Sequence, residues 1–148
     1  MNKEYYMSLA LKQAQKAYKE DEVPIGCVIV LNDEVIARAH NKKIKKADPT
    51  SHAEIECIKK ACKKLGSKYL IDAQMYVTLE PCIMCSGAII HSRLKKIYIG
   101  TLDPKGGAFG SCIDITKIKK LNHYPDVEIG ILQEECSSIL KEFFKSKR

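Results

Sequence analysis

Two short clusters carry the residue types for metal chemistry: His52-Ala53-Glu54 and Cys82-Ile83-Met84-Cys85. One imidazole and two thiolates form a mixed N and S ligand set that suits zinc, and three ligands rather than four leave a position for water. An open position of that kind marks a catalytic rather than a structural ion. A water held there ionises near neutral pH and becomes a hydroxide nucleophile. Glu54 follows His52 by two residues, and within a helix their side chains diverge by about 200°. It is therefore poorly placed to bind the same ion and well placed to move protons beside it. Such a division of labour suits hydrolytic replacement of an amino group on an aromatic ring. Hydroxide adds to the carbon bearing the amine, and the carboxylate carries protons to the ring nitrogen and the departing ammonia.

Blander readings exist for each half. Ser51 and Glu54 have capping-box spacing. A C-x-x-C pair in a reducing compartment can be redox-active, though this one follows Pro81. A closed structural zinc would need a fourth ligand such as Cys57 or His91. Cys27, Cys57, Cys62, Cys112 and Cys136 all read as small buried hydrophobes, Cys112 being the one without an element to place it. His40, His91 and His123 lack ligand spacing of their own.

The elements that must position these clusters follow from pattern. Met75 to Leu79 alternates and is rich in branched and aromatic residues, so it predicts a strand. Pro81 ends it and suits the first turn of a helix, which places Cys82 and Cys85 at a helix start. There the helix dipole favours thiolate. Asn2 to Glu20 is an amphipathic helix. The apolar run Ile25 to Leu31 predicts a buried strand, and Asn32-Asp33 turns it into a second strand from Glu34 to His40. A Lys-rich loop then leads to Asp48-Pro49. A helix follows from Thr50-Ser51-His52 and stops at Gly66. Lys96 to Gly100 forms another strand, Thr101 to Ser111 a Gly-rich loop, Ile113 to Leu121 a short helix, and Val127 to Ile129 a brief strand. A last helix begins after Leu132. Strands alternating with helices predict an α/β fold in three α/β/α layers, as a single domain over residues 1–148.

At 148 residues, 45% hydrophobic and 29% charged, the composition is that of an ordinary globular domain. No signal peptide is expected, nor any apolar run near the roughly 20 residues that span a bilayer. Seven scattered Cys suggest a reducing compartment, hence the cytoplasm. The formal charge is +7, with lysines grouped at 42–46, 93–96, 117–120 and 145–148. That grouping fits either a polyanionic partner or a solvated surface.

Taken together, several segments are similar to the bacterial tRNA-specific adenosine deaminases, within the zinc-dependent cytidine and deoxycytidylate deaminase superfamily. The H-x-E…P-C-x-x-C signature is the known mark of that superfamily. Glu22 to Gly26, His40-Asn41, Asp48 to Glu54, Val77 to Arg93, Asp103 to Gly107, Asn122-His123 and Phe143-Phe144-Lys145 with Arg148 extend the likeness along almost the whole chain. The resemblance implies a cytidine-deaminase-like fold with a mixed sheet of about five strands. It also implies one zinc per subunit on His52, Cys82 and Cys85, with Glu54 as proton shuttle. Asn41 would bond the target base, and Pro24 and Ile25 would wall its pocket. Asp103, Lys105, Asn122, His123, Phe144 and Arg148 would hold neighbouring nucleotides. The implied reaction is adenosine to inosine at the wobble position of an anticodon loop, in an arginine tRNA, by a homodimer. A loop nucleotide is already partly unstacked, so turning it into a pocket costs less than opening a duplex.

Two rival readings remain at this point. One is a deaminase of the same superfamily acting on free guanine or cytosine. The other is a non-catalytic, zinc-dependent nucleic-acid-binding subunit, which could dispense with Glu54.

Overall fold

The computed structural model describes residues 2–147. Its framework is one five-stranded sheet in the order β2-β1-β3-β4-β5, with β1 at Gly26–Leu31, β2 at Glu34–His40, β3 at Gln74–Leu79, β4 at Lys96–Thr101 and β5 at Asp126–Ile129. β1 runs antiparallel to both β2 and β3, while β3, β4 and β5 are parallel. The sheet is therefore mixed, as expected. Asn32 and Asp33 both adopt positive φ in the β1–β2 turn, a conformation these side chains tolerate.

Side-chain alternation divides the core between two faces. Cys27, Ile29, Met75, Val77, Ile97 and Ile99 point to one side, where they meet α3 (Ala53–Leu65) and α4 (Ile83–His91). Val28, Val30, Tyr76 and Tyr98 point to the other, against α1 (Lys3–Lys19) and α5 (Gln133–Ser146). A strand buried on both faces needs a continuous apolar run, which is why residues 26–31 show no polar alternation. α1 packs directly on β1 at Gly26, where any Cβ would strike the Ala10 carbonyl. The result is three layers, helices on both faces of the sheet.

The Lys-rich loop contains a short helix that the pattern did not announce, α2 at Lys43–Lys46. The expected helix near Ile113 is a single 3₁₀ turn, Ile115–Lys117. At the start of α3 the N-cap is His52, not Ser51, and the His52 side chain makes no capping hydrogen bond of its own. The Ser51 hydroxyl is buried without a partner, so the capping box is not formed. Arg148 lies outside the described residues.

Candidate metal centre and substrate cleft

The sheet's topology gathers the predicted site at one edge. Cys82 follows the C-terminal end of β3, and Asp103 follows that of β4. Asn41 follows β2, and Ile25 precedes β1, whose start lies beside the end of β3 in the antiparallel register. The ends of parallel strands are where open α/β sheets commonly place their ligands.

At that edge the two helix starts meet. Nδ1 of His52 lies 3.7 Å from the Cys82 sulfur and 3.5 Å from that of Cys85. The three donor atoms lie within 4.8 Å of one another. Ordinary bond lengths to a tetrahedral zinc would separate a nitrogen and a sulfur donor by about 3.6 Å. The donor set therefore fits such an ion without rearrangement. Among the described residues neither Cys57 nor His91 joins the group. Cys57 instead reaches the Cys27 carbonyl, and His91 is exposed at the far end of α4.

Electrostatics favour a cation here. The hydrogen bond from Cys85, with help from His52, draws the Cys82 thiol down to about 3. The same bond and burial push Cys85 far up. Hydrogen bonding to Cys82 raises His52. Glu54 is buried beside these groups, and desolvation lifts its carboxyl to about 7. A carboxyl poised near neutrality can both take and give a proton at working pH.

Asn41 is buried, and its side-chain oxygen accepts the Ala53 N–H at 2.8 Å. The amide thus caps the start of α3, which leaves its NH₂ donors for another partner. Pro24 is buried and Ile25 half-buried, with the Ile25 carbonyl accepting the Asn41 N–H. Asp103 shapes its own turn, taking the N–H groups of Lys105 and Gly106, while Lys105 is exposed. Phe143 is core, edge-on to Tyr18. Phe144 is 49% exposed. Lys147 pairs with Asp21, which brings the end of α5 beside the turn leading to Pro24.

Asn122 and His123 stand apart from this group. His123 Nε2 lies 2.6 Å from the Leu94 carbonyl, before the start of β4, so the pair lies toward the opposite end of the strands. Asn122 is exposed there.

Two buried carboxylates that support the site escaped the sequence reading. Glu80 accepts the backbone N–H groups of Asp103, Phe109 and Ser111 and the Ser111 hydroxyl. It pins the Gly-rich loop against the Pro81-Cys82 turn, and a Cβ on Gly107 would collide with it. Glu22 accepts the N–H groups of Ile44 and Lys45, fixing α2. The sequence signal for Glu80 is an acidic residue embedded in an apolar stretch, whereas Glu22 closes a charged run and has no such mark.

A three-layer fold with a His/Cys/Cys group that could hold a metal and a neighbouring buried carboxyl is the arrangement of a hydrolytic deaminase. The MafB19-like deaminase family matches residues 1–148. The tRNA-specific adenosine deaminase of Bacillus subtilis is 46% identical over 98% of this chain and 90% of its own. That of Aquifex aeolicus is 46% identical over 100% and 97%. A solved structure from a study of A-to-I editing by tRNA:A34 deaminases at the wobble position superposes with a TM-score of 0.90 at 46% identity, covering 92% of this chain and 99% of that one. A guanine deaminase from Bacillus subtilis superposes less closely, at TM-score 0.67 and 28% identity over 99% and 94%. The chain belongs to the family of tRNA-specific adenosine deaminases, which are hydrolytic enzymes of cytidine-deaminase-like fold. Among the described residues no helix is long and apolar enough to cross a membrane.

Proposed function

We propose that residues 1–148 form a single deaminase domain that converts adenosine to inosine at the wobble position of a tRNA anticodon loop. The expected substrate is an arginine tRNA, the expected compartment the cytoplasm, and the expected assembly a homodimer. The observation that carries this reading is the closure of His52, Cys82 and Cys85 on one point beside the buried Glu54 carboxyl.

His52, Cys82 and Cys85 would hold one zinc per subunit, and the ion would supply the Lewis acidity that makes water nucleophilic near neutral pH. Glu54 takes a proton from the attacking water and delivers it to the purine ring nitrogen. A second transfer goes to the amino group as it leaves. The water oxygen bonds to C6, the C6–N bond breaks, and adenosine plus water become inosine plus ammonia. The free amide donors of Asn41 hold the base edge, and Pro24 and Ile25 close the pocket. Phe144 offers a stacking face for a neighbouring base, Asp103 and Lys105 line the approach, and Arg148, outside the described residues, would hold a further nucleotide. Asn122 and His123 would meet more distant nucleotides of the same stem-loop.

Support for the homodimer comes from α4. Its outer surface leaves Ile83 65% exposed, and Gly87 has open space above it. Shallow depressions of about 390 Å³ and 200 Å³ open toward the end of this helix, one lined by Ile58, Tyr69, Ala88, His91 and Arg93, the other by Gly87, His91, Arg93, Ile115 and Leu121. An exposed apolar helix face with such depressions beside it suits a second copy of itself.

Inosine formation on a panel of anticodon stem-loops, run beside free guanine and cytosine, tests the reading. Conversion of an adenosine-bearing loop is the expected result. Preferential turnover of a free base would move the enzyme to the other branch of the superfamily, and no turnover of any substrate would leave a binding subunit.

A further inference from the structure

We infer that Lys43, carried on α2, grips a backbone phosphate of the RNA next to the reacting nucleotide. The inference rests on the RNA-directed reading above and adds a positioning residue to it. Its starting point is how firmly so short a helix is built. Glu22, almost wholly buried, takes the Ile44 and Lys45 N–H groups at 2.9 Å. Glu56, also buried, takes the Lys46 ammonium at 2.7 Å. Lys45 leans toward Glu20. The backbone is clipped to the metal-bearing helix start as well, because Lys42 N–H bonds the Ser51 carbonyl at 2.9 Å. A four-residue helix has almost no stability of its own, so two buried carboxylates are what keep this one in place.

That anchoring leaves a division among its lysines. Lys45 and Lys46 face carboxylates, whereas among the described residues Lys42 and Lys43 have none. Lys43 stands two positions after Asn41, the residue that caps α3 ahead of Glu54, and next to Lys42, whose N–H is bonded to the carbonyl just before His52. Ile44 beside it is 72% exposed, an apolar surface on the same platform. The helix end itself is not the anion site, since Glu22 already occupies its N–H groups. What remains for an anion is an unpaired ammonium on a rigid mount at the cleft. A phosphodiester flanking the flipped nucleotide is the anion that an RNA substrate brings there.

The test uses the full-length, zinc-loaded enzyme and a fluorescent adenosine-bearing anticodon stem-loop, with binding followed by anisotropy over a range of salt and deamination measured in parallel. Lys43→Gln is expected to weaken binding about three- to tenfold at low salt. It should also lower the slope of log K against log salt by about 0.7–0.9, the loss of one phosphate contact. Lys43→Arg should restore the slope, and Lys63→Gln, on the exposed side of α3, should leave it unchanged. The melting temperature of Lys43→Gln should match the wild type, since this side chain holds nothing in the fold. A slope and affinity unchanged in Lys43→Gln would overturn the assignment. If the wild type binds the stem-loop without deaminating it, the functional reading falls while the slope still decides on Lys43. If it binds no stem-loop, both fall together.

Discussion

The Asn41 side-chain oxygen accepts the Ala53 N–H between His52 and Glu54. One amide therefore ties the end of β2 to the helix start that carries the metal imidazole and the proton-carrying carboxyl. Its remaining donors are aimed by the same bond, so the group that would meet the base is held in register with the groups that would act on it. Orientation of this kind is worth several orders of magnitude in rate when reacting groups are already aligned.

Glu54→Gln should leave the fold and the metal content intact and remove the proton carrier. A loss in kcat of about 10²–10⁴-fold is expected. Metal analysis beside single-turnover inosine formation checks both halves, and retained turnover would remove Glu54 from the mechanism.

The same residue sets a pH dependence of stability. Burial raises Glu54 from 4.5 to about 7, so the folded state holds its proton more tightly than the unfolded chain does. Its contribution is full below about pH 4.5 and is lost as pH climbs toward 7, where a charged carboxylate must stay buried. In metal-free protein, Glu54→Gln should therefore exceed the wild type in stability at pH 8 by about 2–3 kcal/mol. The gain should fade toward pH 5. Denaturant titrations at the two pH values measure it.

Cys85→Ala removes a sulfur from a three-donor set. Zinc content should fall well below one ion per subunit, and activity should fall with it. Because Cys85 is buried, melting measured on metal-free samples separates loss of the ligand from loss of packing. Full zinc occupancy in this variant would mean the ligand set is wrong.

Adjacent helical residues point about 100° apart, and Phe143 and Phe144 divide accordingly into core and surface. Phe143→Ala should cost about 3–5 kcal/mol of stability. Phe144→Ala should leave stability within about 0.5 kcal/mol and weaken stem-loop binding by about 1–3 kcal/mol. Thermal melts and anisotropy on both variants distinguish the roles.

Gly87→Arg places a long charged side chain on the open outer surface of α4, where nothing in the subunit would obstruct it. The variant should fold and run as a monomer, while the wild type runs as a dimer. Sedimentation velocity reports the difference.

Much of this molecule could be read from local pattern because its causes are local. β1 is an unbroken apolar run because both faces are covered, and the spacing from Pro81 to Cys85 is the geometry of a helix start. What escaped has causes far along the chain. α2 is only Lys43–Lys46, and its N–H groups are capped by Glu22, some twenty residues earlier. Glu80 finds partners in a loop more than twenty residues later, and nothing beside it in sequence announces them. Ser51 and Glu54 had the right spacing for a reciprocal cap, yet the helix begins one residue later and the pairing fails. For the two phenylalanines, adjacency says only that they cannot face inward equally, and packing against Tyr18 shows that Phe143 is the core one.

The carboxylate of Glu80 has a mechanical consequence. Because that single group clasps both the loop bearing Asp103 and Lys105 and the turn that presents Cys82, these two jaws of the cleft cannot swing independently. An anticodon loop entering the cleft therefore meets a loop and a turn whose spacing one carboxylate has already set.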